Sequence, residues 1–272
     1  MSTSRGNPDN VVGDNVPCSH TEKLRWVGQG FIDDVALDSA SVETARNHVD
    51  HGDPVTAEEE VLRESIGAMV ASEGFPCLGA RSVFRREHAV VRVYDELASQ
   101  AATVELLSDL ARFAEKVDAH AGFASFVAIF RAPMALTEKE FEELLWAQLR
   151  LLHAADEQAW NSDVSADPTD DHFAYSLGST AYFVVGLHPH SSRIARRSVS
   201  PTLVFNLHAQ FEALRTSGQF ERMRDMIRAR DEQLQGSINP MVSDHGYGSE
   251  ARQYAGRAVD EDWVAPFAQE QR

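Results

Sequence analysis

Ala181-Tyr-Phe-Val-Val-Gly-Leu-His-Pro-His-Ser-Ser-Arg-Ile-Ala-Arg-Arg197 opens on an apolar run, crosses a histidine–proline–histidine turn and closes on three arginines. Residues 181–186 are rich in β-branched and aromatic side chains and too few for a buried helix, so they predict a core strand. Pro201-Thr-Leu-Val-Phe205 and, upstream, Phe123 to Phe130 read the same way. Helices surround these strands. Thr56-Ala-Glu-Glu59 is a capping box that starts a helix carrying Val61, Leu62, Ile66, Met69 and Val70 and stopping at Glu73-Gly74. Thr137-Glu-Lys-Glu140 is a second box, before Phe141, Leu144, Leu145, Leu149 and Leu152. Further helices are expected from about Asp95 to Ala119, from Ala209 to Arg215, and from Phe220 to about Gln235 with Phe220, Met223, Ile227 and Leu234 inward. The pattern predicts an α+β fold, a small central sheet covered by helices. Residues 1–20 read as a flexible polar arm and 21–272 as a single domain, whose irregular C-terminal segment is packed through Tyr247, Tyr254, Trp263 and Phe267.

The 272 residues include 25 basic and 42 acidic side chains, a net charge of −17. Such a field repels phosphate backbones and anionic lipid surfaces, so no nucleic acid and no membrane are expected as partners; it favours cationic ligands. Cys18 and Cys77 form no CxxC pair, the first 20 residues hold no apolar leader, and no run spans a bilayer. The expected location is cytoplasmic.

Chemistry concentrates in residues 186–212. His188 and His190 leave a strand end, and Asn206-Leu-His208-Ala-Gln210-Phe-Glu212 repeats the order of strand end, histidine and helix start. Neutral imidazole is the commonest metal ligand, and arginine forks suit carboxylates and phosphates. Arg222, Arg224, Arg228 and Arg230 read as the wet face of their helix, and Cys77 alone as a small buried hydrophobe. With no HExxH, GxSxG, GxGxxG or Walker sequence present, the residues by themselves indicate an anion- and metal-binding pocket and go no further.

The order of segments is more specific. Phe75-Pro-Cys-Leu-Gly-Ala80, Gly186-Leu-His-Pro with Ala195-Arg-Arg197, Phe205-Asn-Leu-His-Ala-Gln-Phe-Glu212, Gln235-Gly-Ser-Ile-Asn-Pro-Met241, Ser249-Glu-Ala-Arg-Gln-Tyr-Ala-Gly-Arg257 and Trp263 with Pro266-Phe267 follow one another. The chain resembles the YqcI/YcgG family over roughly Gly67 to Phe267. It departs from the common ending Trp-Lys-Cys-Pro-Phe, because Ala265 stands where that cysteine would be. The branch it most resembles is the heme-dependent guanidine N-hydroxylases.

That resemblance implies a heme b cofactor and hydroxylation of L-arginine, or another guanidine, to the Nω-hydroxy product in antibiotic biosynthesis of the D-cycloserine type. The oxidant would be O2 with an electron donor, or peroxide. Heme needs an axial ligand, an apolar slot and cations for its propionates. His188 is preferred as ligand because the histidine–proline turn fixes the backbone; His208 comes second and Cys77 third. Phe183, Val185, Leu203 and Phe205 would line the slot, and Arg193, Arg196 and Arg197 hold the propionates. Glu212, Asp244 and Glu250 are the candidate acids for the guanidinium, Glu250 foremost, with Arg252 or Arg257 for the substrate carboxylate. Two other classes stay open: a heme-binding sensor or carrier without turnover, and a non-heme metal hydrolase using His188, His190 and His208.

Overall fold

A computed structural model of the chain describes residues 55–117, 122–134, 136–241 and 248–267. The polar arm 1–20, Cys18, Asp244 and Tyr247 lie outside the described residues.

Both capping boxes form. The Thr56 hydroxyl accepts from Glu59 N, and the Glu59 carboxylate accepts from Thr56 N, starting α1 (Ala57–Ala71). Thr137 and Glu140 do the same for α4 (Glu138–Ala155). Between them come α2 (Leu78–Arg85), β1 (Ala89–Glu96), α3 (Gln100–Lys116) and β2 (Ser125–Ala132). The expected helix from Asp95 is corrected here. Val91 and Val93 face one side and Arg92 and Tyr94 the other, which makes 89–96 a strand, and the helix begins only after Ser99 caps Ala102 N. The chain continues through β3 (Tyr175–Leu177), β4 (Thr180–Leu187), a 3₁₀ turn at Ile194–Arg196, β5 (Thr202–Leu207), α5 (His208–Thr216), α6 (Phe220–Gln235) and α7 (Ala251–Tyr254). Gly178 and Ser179, both at φ 59°, join β3 to β4 in the tight turn that hairpin twist demands.

The sheet order is β1-β2-β5-β4-β3. β1 and β2 are parallel with α3 between them, and every other pairing is antiparallel. The fold is α+β, as the mixed pattern predicts. One face carries the larger core, where Phe126, Phe205, Tyr182 and Val184 pack against Phe141, Leu145 and Trp146 of α4 and against Tyr254 and Phe267 of the C-terminal segment. Gly186 is needed in this layer. A Cβ there would come within 2.7 Å of Phe141 and Leu145 and 2.9 Å of the Tyr254 carbonyl. The other face carries a smaller core, in which Val91, Val127 and Ile129 meet Ile66, Met69 and Val70 of α1. Among the described residues no helix is long and apolar enough to cross a membrane.

Candidate active site

The second face is only partly filled. Register aligns Val127, Val204 and Val185 in one rung and Ser125, Asn206 and Phe183 in the next. These two rungs floor a cavity of about 330 Å³, walled by α1, α2 and α6. That volume sits at the lower end of the ~300–1,000 Å³ of small-molecule sites. On α6 the apolar stripe Phe220, Met223 and Ile227 is inward, as its spacing predicts, yet only half-buried, because it faces the cavity instead of a packed layer. An open groove beside Arg150, Asp167 and Phe267 carries none of the candidate residues.

Strand parity sorts the predicted slot. Phe183 and Val185 line the cavity; Leu203 and Phe205 point into the opposite core, and Val204 takes their place. The same parity turns His188 away. It is 1% exposed, stacked on Phe141 of α4 at 4.6 Å between ring centroids, and neither ring nitrogen has a hydrogen-bond partner. Burial pushes its pKa from 6.5 to about 4, so it is a neutral core residue on the far side of the sheet. His190 is exposed and its Nδ1 sits 3.0 Å from the Leu136 carbonyl. His188, His190 and His208 are therefore not brought together, and among the described residues no group of three or more His, Cys, Asp or Glu is arranged to hold a metal ion.

Cys77 does line the cavity. It is the N-cap of α2, and its Sγ accepts from Ala80 N at 3.4 Å. Burial raises the thiol's pKa, while the Ala80 and Gly79 amides and the charge of Arg196 pull the other way. A linear reading of Phe75-Pro-Cys-Leu hides these two amides and this charge, since only the helix start and a distant loop supply them.

The three arginines after the histidine turn separate. Arg193 is buried against Asp231 at 2.5 Å and also reaches the Ser237 carbonyl, so it anchors the end of α6. Arg197 binds the Ser191 and Ser192 carbonyls and staples its own loop. Arg196 alone of the three lines the cavity, donating to the Gly186 and Gln253 carbonyls. Desolvation lowers its pKa to about 10, against the opposing charge of Asp231. Three further arginines line the cavity: Arg215, whose guanidinium lies 4.8 Å over the Phe220 ring and which the sequence left unassigned, and Arg224 and Arg228 of α6, whose expected wet face is corrected here. Arg230 is not on a wet face either; it donates to the Glu73 and Phe75 carbonyls and ties α6 to the α1–α2 turn.

Among the candidate acids, Glu212 is exposed and paired with Arg215. Glu250 lines the cavity, 9% exposed; its Oε1 is 3.4 Å from His208 Nε2 and its buried Oε2 has no partner. The two arginines proposed for a substrate carboxylate are committed elsewhere. Arg252 binds the Asp260 and Trp263 carbonyls, and Arg257 grips buried Glu142 of α4 at 2.5 and 2.8 Å.

The model of the YqcI/YcgG family matches residues 66–268. The chain belongs to this family. A YcgG protein of Bacillus subtilis strain 168, named as uncharacterised, is 29% identical over 203 residues, covering 72% of this chain and 79% of that protein. No solved structure matches the chain. Four of the stretches on which the resemblance rests lie within the matched range and supply much of the cavity: Phe75–Ala80 brings Cys77, Gly186–Arg197 brings Arg196, Phe205–Glu212 brings Asn206 and Phe211, and Ser249–Arg257 brings Glu250.

Proposed function

We propose that the protein binds heme b in the cavity between the sheet and α6 and hydroxylates a guanidine nitrogen of a cationic substrate, L-arginine first among them, to give Nω-hydroxy-L-arginine. The observation that carries this reading is the cavity itself: an apolar slab with a thiol at one helix start, arginines around it, and one carboxylate oxygen without a donor. A porphyrin requires this set of an axial ligand, apolar walls and cations for two carboxylates.

The residues divide the work as follows. Cys77 would hold the iron, because it alone of the sequence-derived ligand candidates lines the cavity; burial raises its thiol pKa, so the bound metal would have to displace the proton. Arg196 and Arg215, which line the cavity, would take the propionates in place of Arg193 and Arg197, exchanging for them the carbonyl and Glu212 contacts they make in the free protein. Val127, Val204 and Val185 would exclude water from one ring face. Glu250 would orient the guanidinium through its unpartnered Oε2. When bound, heme supplies the oxidising power, drawn from O2 and an electron donor or from peroxide, that places one oxygen atom on nitrogen. The biosynthetic setting and a cytoplasmic location follow from the family resemblance and the sequence alone.

The test is the visible spectrum of the purified chain with and without added hemin. A Soret band that Cys77→Ala abolishes or shifts, and a product one oxygen heavier from L-arginine, are the expected results. A chain that stays colourless and takes up no hemin removes the reading.

A further inference from the structure

Cys77, Met69 and Met223 are the readily oxidised side chains on the cavity wall; among the described residues no tyrosine or tryptophan lines it. The oxidisable rings begin one side chain behind that wall. Phe183 of β4 lines the cavity and meets the ring of Tyr254 of α7 edge-on, 5.8 Å between centroids. Tyr254 stacks on Trp146 of α4 at 5.7 Å, and Trp146 reaches Trp263 of the C-terminal segment at 6.3 Å. Tyr254 and Trp146 are 0% exposed, whereas Trp263 is half-buried and meets solvent. Phenol and indole rings hold their π electrons loosely, and rings in van der Waals contact exchange single electrons readily. Proton partners give this path a direction. The Trp146 N–H is buried with no acceptor, so an oxidised Trp146 keeps its proton and is a buried cation, which apolar surroundings disfavour. The Tyr254 hydroxyl donates to the Tyr182 carbonyl at 3.3 Å and accepts from Tyr175 N at 3.1 Å, and neither partner is a base for the phenolic proton. Trp263 can release its N–H proton to water and stay neutral. An oxidising equivalent therefore comes to rest on Trp263.

We propose that Tyr254, Trp146 and Trp263 conduct single electrons from the surface to the cavity, and so discharge an oxidant formed there when no guanidine consumes it. This rests on the reading of the cavity as a heme site. Each transfer moves one electron inward. Trp263 loses that electron and its N–H proton, and a soluble one-electron reductant of the ascorbate class restores both. Two such transfers, with two protons, break the O–O bond of one peroxide and give two molecules of water. The path spares the sulfurs of Cys77, Met69 and Met223. It gives the protein, beside hydroxylation, a peroxidase activity whose electron donor meets Trp263 and never enters the cavity.

The hemin-loaded full chain, given peroxide without substrate and in the presence of a nitroso spin trap, reports the path by peptide mapping. The adduct is expected on Trp263, and added ascorbate should erase it. W263F should take up hemin with an unchanged Soret band, lose that adduct, and show more sulfoxide at Met69 and Met223. W146F should keep the Trp263 ring yet lose its adduct. Hemin taken up and peroxide consumed with no adduct on Trp263 overturns the path and leaves the heme reading standing. So does a Trp263 adduct undiminished in W146F, because the surface indole is then oxidised from solution. A chain that takes up no hemin overturns the heme reading, and the inference with it. Should W146F fail to fold, sulfoxide at Met69 and Met223 in W263F decides: no increase over the unaltered chain refutes the path.

Discussion

Replacing His188 by leucine should make the fold less sensitive to acid. The imidazole is 1% exposed, lies flat on Phe141, and has no hydrogen-bond partner at either nitrogen. Its folded pKa is lowered from 6.5 to about 4, first by burial, with Glu138 opposing and His190 assisting. The sign follows from linkage. A histidine depressed in the folded state is neutral there while the unfolded chain takes up a proton, so nothing is lost near neutral pH. Stability then falls as the pH drops below 6.5 towards 4. At about pH 5 the difference between the two pKa values amounts to about 2 kcal/mol, and the full shift to about 3.4 kcal/mol. Urea denaturation of wild type and H188L at about pH 7.5 and about pH 5 measures it. Wild type should lose about 2 kcal/mol more than H188L between those conditions. Equal losses in the two proteins would refute a buried, neutral imidazole at this position and reopen the question of what His188 contacts.

Three other outcomes check the architecture and the cavity. Arg257→Met strands the 7%-exposed Glu142 carboxylate between α4 and the C-terminal segment, and chemical denaturation should show a loss of about 3–5 kcal/mol. Gly186→Ala forces a methyl group against Phe141, Leu145 and the Tyr254 carbonyl, and should cost about 1–3 kcal/mol by the same assay, with a lowered melting temperature. Val204→Trp fills the middle of the cavity floor, so hemin uptake measured at the Soret band should disappear while the far-ultraviolet circular dichroism stays that of wild type.

Local signals carried most of the fold. Thr56 and Thr137 could be read as helix starts because a capping box is satisfied within four residues, whatever the tertiary contacts. Gly236 at φ 76° ends α6 for an equally local reason. β1 was harder. Ala89-Val-Val-Arg-Val-Tyr-Asp-Glu96 alternates properly, but Arg92 interrupts its apolar run and is buried with Asp109 of α3 3.9 Å away. Asp109 also accepts from Tyr94 at 2.8 Å. That partnership, supplied by the next helix, cannot be seen from the strand.

The site was legible in its residue types and not in its sides. The spacing of Phe220, Met223 and Ile227 identifies an inward stripe on α6, but helical period alone does not say whether the stripe meets a packed layer or a void. Arg224 and Arg228, four residues apart, share that uncertainty and so read as solvated. For His188 the necessary signal was present. Phe183, Val185 and Leu187 belong to one parity of β4, and Tyr182, Val184 and Gly186 to the other, so a residue at 188 falls with the second set. Gly186 confirms the side, since its missing Cβ admits α4, the helix on which His188 stacks. On the proposed heme reading an iron ligand would have to share the cavity with the arginines near the propionates, a place that parity denies His188. Cys77 does reach the cavity, from the start of a helix, where the backbone itself aims two amides at the sulfur.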